Sequence, residues 1–277
     1  MGSEHRAVGD DYVLATGDEG AARLALLDEV YGPATQRFCT AQGVGEGWRV
    51  ADIGCGTGQV SCWFGERVGA TGGVTALDVS VDQLALGRER ANERGFGNVS
   101  FIEGSAYEPG LPRGAFDLVF CRLLLCHLQR PADALEQMAA LLRPSGVLIV
   151  QDMIMTSMFT DPPTRAYARF IELAEQVGEA LGVDYSIGRR LVGMFRDLGL
   201  AGVSASVDQP CFTAGERKRL WEYTYLEAGP GAIASGASSP SEFDELASEF
   251  ATIGTDDTTL VVQPAMVAVA GRAAVGP

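Results

Sequence analysis

VADIGCGTG (50–58) is the stretch on which the fold of this chain turns. It opens as a short apolar run, carries a carboxylate at Asp52 and ends in three alternating glycines, Gly54, Gly56 and Gly58. Such a run reads as a buried strand (WRVADIG, 48–54) that breaks into a tight turn and continues as a helix through QVSCWFGERVG (59–69). Glycines at a strand-to-helix turn let a ligand approach the backbone and the helix N-terminus. The dinucleotide fingerprint GxGxxG would need a glycine where Gln59 stands.

Working outward, VTALDVS (74–80) reads as a second strand ending in Asp78, twenty residues past Gly58, where a carboxylate can accept both hydroxyls of a ribose. Ser80 is placed to cap a helix over VDQLALGRERANERG (81–95). VSFIEGS (99–105), FDLVFCR (116–122) and GVLIVQDM (146–153) read as three further strands. PADALEQMAALLR (131–143) reads as a helix with Pro131 in its first turn. VSASVDQP (203–210) and TTLVVQPAMVAVAGRA (258–273) supply a sixth and a seventh strand. Almost wholly apolar strands alternating with helices describe a parallel sheet covered on both faces. The expected fold is therefore α/β, a doubly wound, mostly parallel seven-stranded sheet with an inserted helical lid. Residues 1–44 form a helical cap, 45–153 the cofactor core and 154–188 the lid. Residues 189–277 complete the core around a helical insertion at about 213–257, whose middle, GPGAIASGASSPSE (229–242), reads as a flexible linker.

Several motifs agree in order and spacing: DIGCGTG (52–58), Asp78, GSA (104–106), FDLVFCR and LLRPSGVLIV (141–150). Over about residues 45–153 the sequence resembles the class I S-adenosylmethionine-dependent methyltransferases. The resemblance implies S-adenosylmethionine as cofactor and S-adenosylhomocysteine as product. It places the Gly54–Gly58 loop, with Cys55, against the methionine part and Asp78 on the ribose. Asp52 would orient the loop and the ammonium group, Cys121 would lie beside the amino-acid portion, and Ser105 and Ala106 would border adenine. The family often has Asp where this chain has Ser105. Gln83 and Trp63, which follow the two turns, are further candidates for cofactor contact.

Methyl transfer from a sulfonium needs mainly alignment, and a general base helps when the nucleophile must lose a proton. His127 after the fourth strand and Asp152 at the end of the fifth stand where doubly wound sheets open their ligand crevice, and they are the candidate catalytic residues together with Tyr12. Aromatic residues outside the core (Tyr12, Phe159, Tyr167, Phe170, Tyr185, Trp221, Tyr223 and Tyr225) suit a pocket for a flat, apolar substrate. Tyr12, His127, Tyr185, Trp221 and Tyr225 are the substrate-contact candidates.

Composition limits the partners. The 277 residues carry 36 acidic against 21 basic side chains, a net charge of −15, and Lys218 is the sole lysine. That balance speaks against nucleic acid and against anionic membranes. MGSEHRAVGDDY (1–12) has neither apolar core nor cleavage site, which predicts a cytoplasmic protein without a secretory signal. The six cysteines lack CxxC spacing and only two histidines accompany them, so no metal site is expected. The expectation is a small-molecule methyltransferase, similar to enzymes that modify quinones, sterols or secondary metabolites, acting on an oxygen, nitrogen or carbon nucleophile of phenol or indole type. A homodimer is compatible with the sequence. The alternatives are a nicotinamide-dependent oxidoreductase, a cyclase on the same scaffold, or a subunit that binds cofactor without catalysis.

Overall fold

The computed structural model describes residues 17–274. Tyr12, and with it the first part of the expected 1–44 cap, lies outside the described residues. The main sheet contains β1 (Arg49–Ile53), β2 (Gly73–Asp78), β3 (Val99–Glu103), β4 (Phe116–Arg122), β5 (Leu142–Ile154), β7 (Ala201–Asp208) and β10 (Ala265–Arg272). Their order is β3-β2-β1-β4-β5-β10-β7. All neighbours from β3 to β5 run parallel, and β10 is antiparallel to both β5 and β7. This is the doubly wound, mostly parallel seven-stranded sheet that the strand–helix alternation predicts.

The chain winds outward through β1, β2 and β3 and then crosses back to place β4 beside β1. Loops leaving β1 and β4 diverge at that reversal, so a crevice opens above their C-terminal ends. The central strands are buried on both faces, with Val50, Ala51 and Ile53 of β1 fully enclosed. On one face pack α2 (Gln59–Val68) and α3 (Val81–Glu93), through Phe64, Val68, Leu84 and Phe101. The other face carries α4 (Pro131–Leu141) and the larger apolar cluster.

The helix α1 (Gly17–Ala41) lies across the strand ends and is tied down by buried polar contacts. Arg122 at the end of β4 donates to Asp28 at 2.8 Å and to Thr35 at 3.2 Å, and Thr35 donates to Gln151 of β5 at 2.7 Å. Tyr31 donates to the Pro264 carbonyl at 2.9 Å. These bonds fix which face of α1 looks into the crevice.

Two expectations need correction. TTLVVQPAMVAVAGRA does not form one strand. Pro264 has no N–H to give a ladder, so β9 (Leu260–Val262) ends before it and joins a separate three-stranded sheet with β6 (Phe159–Asp161) and β8 (Cys211–Phe212), while β10 begins after it. Nor is 229–242 a flexible linker. α7 (Leu220–Ala234) runs through Pro230, α8 (Pro240–Thr255) starts at Pro240, and only 235–239 connects them. The reason is close packing: a Cβ on Gly229 would stand 1.9 Å from the Phe243 ring, so the glycine lets α7 lie directly against α8.

Within 154–188 the regular elements are β6 and α5 (Arg165–Leu181). α5 packs on α7 and α8 through Tyr167–Phe250 (4.9 Å between ring centroids) and Phe170–Tyr225 (5.8 Å). The two insertions, remote in sequence, thus form one helical cluster beside the crevice. Among the described residues no helix is long and apolar enough to cross a membrane. All six cysteines are free thiols.

Candidate active site

A cavity of about 260 Å³ occupies the crevice and extends under the helical cluster. Its two ends differ in chemistry. One is built from the turns after β1 and β2, the other from three helices.

At the first end, Gly54 and Gly56 adopt left-handed backbone (φ 72° and 53°) and both line the cavity. A Cβ on Gly56 would stand 3.1 Å from Gln83 Oε1, so the glycine keeps that wall open. Asp78 organises the turn: its Oδ2 accepts the Gly56 N–H at 2.8 Å and its Oδ1 accepts the Ser80 N–H at 2.9 Å. Each oxygen retains lone-pair capacity for a further donor. Burial pushes the Asp78 carboxyl above its ordinary pKa despite these bonds. Asp52, at the end of β1, accepts from Ser61 and is raised to about 6 by burial. Gln59 Nε2 is buried at the cavity wall without a hydrogen-bond partner among the described residues, its Oε1 being taken by Thr57.

S-adenosylmethionine, the cofactor that the resemblance implies, is tested by these observations. A ribose offers donors, which the spare Asp78 lone pairs can accept. An amino-acid carboxylate offers acceptors, and the orphaned Gln59 amide beside the glycine turn is a donor that lacks one. The residues fit the group.

At the second end each helix contributes one face. α7 presents Trp221, Thr224, Tyr225, Ala228, Gly229 and Ala232, and α5 presents Phe170, Leu173, Ala174 and Val177. Those spacings of three and four residues are one stripe of a helix. α1 adds Arg23, Leu24 and Leu27. His127 follows β4 in a short 3-10 turn and packs edge-on to Tyr185, ring centroids 5.6 Å apart. His127 is half-buried and lines the cavity. Burial, helped by the Arg23 cation, pushes its imidazole down to about 4, so it is neutral at physiological pH.

The cavity wall includes most of the residues that the sequence singled out: Asp52, Gly54, Cys55, Gly56, Asp78, Gln83 and Ala106 at the first end, His127, Tyr185, Trp221 and Tyr225 at the second. Others stand elsewhere. Gly58 caps α2 with φ 73°, and a Cβ there would stand 2.6 Å from the Phe101 ring, so its side faces the core between α2, α3 and β3. Ser105 accepts the Tyr107 N–H at 3.2 Å within its own turn. Cys121 is fully enclosed in β4, and Trp63 packs against Phe64 on the outer face of α2. Asp152 is fully buried off the cavity, accepting the N–H groups of Cys126 (3.1 Å) and Met153 (2.9 Å); it shapes the turn that carries His127 rather than facing a ligand.

The aromatic set divides as well. Phe170 is in the wall, Tyr167 is core, Phe159 is 52% exposed, and Tyr223 donates to Glu216 beneath Arg219. The sequence reading missed Arg23, Arg122 and the donor role open to Gln59. Arg23 has a periodic apolar neighbourhood in sequence, and its partner Glu227 is 204 residues away, so no local signal marks it.

The pKa shifts have a sign that can be tested. Between pH 6.5 and about 4 the unfolded chain protonates an imidazole that the folded chain keeps neutral. The contribution of His127 to stability is therefore intact above its unfolded value and is lost as pH falls through the folded one. Asp52 and Asp152, both raised to about 6, act with the opposite sign, their contribution being present below 3.8 and lost as pH rises through 6. His127→Ala is expected to lose less thermal stability than the parent between about pH 7 and about pH 5, read from melting temperatures. A steeper loss would contradict the buried neutral imidazole.

Comparison with known proteins agrees with this geometry. Residues 51–150 match the family described as Methyltransferase domain. The ubiquinone/menaquinone biosynthesis C-methyltransferase UbiE of Azotobacter vinelandii is 34% identical over 136 residues, covering 47% of this chain and 54% of that protein. The protein of the same name from Yersinia enterocolitica is 30% identical over 183 residues, covering 64% of this chain and 72% of that protein. Among solved structures, a putative methyltransferase from Bacillus halodurans superposes with a TM-score of 0.53 at 18% identity, covering 83% of this chain and 94% of that one, which is a likeness of fold. With the glycine turn, Asp78 and the strand order in place, these matches show that the chain belongs to the class I S-adenosylmethionine-dependent methyltransferases.

Proposed function

We propose that the protein methylates a small, flat, largely apolar acceptor at a ring carbon, the acceptor being of phenol or indole type. The observation that carries this reading is the single cavity that joins the glycine turn and Asp78 to the apolar stripes of α5 and α7. When bound, S-adenosylmethionine supplies an activated methyl group on a sulfonium. The chain's part is to hold that group with Asp78, the Gly54–Gly56 turn and Gln59, and to pin the acceptor between Phe170, Trp221, Tyr225 and Tyr185. Apolar walls exclude water, and alignment of this kind supplies ~7–11 kcal/mol of rate enhancement.

His127 stands at the cavity as the proton acceptor. Its low basicity is a poor match for a phenolic O–H and a good one for the strongly acidic proton left on a ring carbon that has just formed its new bond to methyl. Loss of that proton to the imidazole restores the aromatic ring. The names of the relatives, C-methyltransferases of quinone biosynthesis, favour the same atom. The nicotinamide alternative has no support in the family to which the chain belongs.

The test is incubation with methyl-labelled S-adenosylmethionine and a panel of phenols and indoles. Label is expected in carbon-bonded methyl of at least one acceptor, and heat is expected on titrating the cofactor alone. No heat at hundreds of micromolar would remove the reading, and label found only on oxygen or nitrogen would remove the carbon assignment.

A further inference from the structure

The strand β7 ends the main sheet with a single hydrogen-bonded neighbour, β10, and among the described residues its backbone makes no hydrogen bond outside that pairing. Its outer edge is therefore a row of N–H and C=O groups open to another strand. Edges are usually blunted by short length, by lysine or proline, or by a covering element. β7 has none of these: it is eight residues long, six of them are exposed, and its one charged residue, Asp208, stands at its very end. The opposite edge, β3, has five residues and ends in the exposed Glu103.

The sequence of this edge is palindromic: Val203-Ser204-Ala205-Ser206-Val207 reads the same in both directions about Ala205. In an antiparallel pair of two such strands about a two-fold axis at Ala205, residue 203 stands opposite 207 and residue 204 opposite 206. Valine then meets valine on one face and serine meets serine on the other. The register with β10 identifies the valine face: Ala205 and Val207 pair with Val269 and Val267, both buried in the larger apolar cluster, and Val203 packs against that cluster. Val207 is 63% exposed, the most exposed large hydrophobic side chain among the described residues, so the cluster runs out to the edge and ends there uncovered. Charge agrees with self-pairing. Asp208 would stand opposite Gly202 of the second copy, no like charges are opposed, and the one charge on that copy's β10 is the Arg272 cation at the same end.

We propose that the occupant of this edge is a second copy of the chain: two β7 strands pair antiparallel about a two-fold axis at Ala205 and join the two seven-stranded sheets into one. Such a contact is isologous, each copy giving and receiving the same bonds, so it closes at a dimer. The backbone groups of the edge become paired, and Val203 of each copy covers Val207 of the other. A two-fold axis perpendicular to the sheet reverses strand direction, so the two crevices above β1 and β4 open in opposite directions and neither is blocked by the contact. One strand per copy is a small interface among specific ones, so the dimer is expected to be reversible.

The test is sedimentation velocity of the full chain over roughly 1–200 μM, in about 0.15 M salt to screen the repulsion between two chains of charge −15. A monomer–dimer equilibrium is expected. Ala205→Lys sets two ammonium groups against each other on the axis, and like charges directly opposite destabilise a strand pair, so the dimer is expected to weaken at least tenfold. Ser100→Lys puts the same charge on the β3 edge and is expected to leave the dimer unchanged. Register is read by cross-linking with a short bismaleimide, against Cys211→Ser alone as baseline. In that background Ala205→Cys stands opposite itself and is expected to give a covalent dimer, whereas Val207→Cys faces residue 203 of the second copy and is expected to give far less. Circular dichroism and melting temperature confirm that each variant is folded; if Ala205→Lys fails to fold, the cross-linking pattern decides. A chain that stays monomeric over the whole range, a dimer that Ala205→Lys leaves intact or Ser100→Lys weakens equally, or equal cross-linking from positions 205 and 207 would each overturn the proposal.

Discussion

Asp78→Ala is expected to weaken S-adenosylmethionine binding at least tenfold while the fold persists. Asp78 has two tasks at one place. Its oxygens hold the Gly56 and Ser80 N–H groups at 2.8 and 2.9 Å, which shapes the turn, and Asp78 lines the cavity at the end proposed above to take the cofactor. A hydrogen bond to a charged group is worth ~1.5–3 kcal/mol, and about 1.4 kcal/mol is a factor of ten, so losing either task reaches the expected effect. Because the side chain sits at a strand end on the cavity and not in the sheet interior, the core is untouched. Calorimetric titration of the cofactor into parent and variant checks this, with circular dichroism to confirm folding. Unchanged affinity would mean that the ribose end lies elsewhere.

Gly58→Ala is expected to act on stability instead. The position has φ 73°, and its Cβ would meet the Phe101 ring at 2.6 Å. A left-handed alanine costs ~1–2 kcal/mol and overpacking a full core ~1–3 kcal/mol, so the loss is roughly 2–5 kcal/mol. For a domain of this size that lowers the melting temperature by roughly 5–10 °C. Cofactor affinity of the folded variant is expected to fall far less than in Asp78→Ala. An unchanged melting temperature with binding abolished would return Gly58 to the cavity wall. The pair of variants thus separates two residues that the family resemblance places together at the cofactor.

The glycine motif was legible in part because its chemistry is local. Gly54 and Gly56 adopt left-handed backbone on the cavity wall, and a strand followed by GxG announces that conformation. Gly58 shares the spacing, but its reason is the Phe101 ring some forty residues on, which spacing cannot report. Asp152 is a similar case. A carboxylate ending a central strand looks like a ligand group, and only the tertiary structure shows both of its oxygens taken by the backbone of Cys126 and Met153. Conversely, two prolines and three glycines within 229–242 suggested a linker, whereas the contact of Gly229 with Phe243 makes most of that stretch helix.

By itself the sequence determined the strand–helix alternation, the doubly wound sheet, the crevice above β1 and β4 and the cofactor class. The first three follow from periodicity and turn chemistry within a few tens of residues, and the cofactor class from the family resemblance that the motifs of residues 45–153 carry. The tertiary structure alone decided that the insertions after β5 and β7 pack into one cluster, which faces of α1, α5 and α7 line the cavity, and that β7 stands at an open edge of the sheet. Those outcomes depend on contacts such as Arg23 with Glu227, separated by 204 residues. A side chain's partner at that separation is set by packing of the whole chain, and no local pattern encodes it.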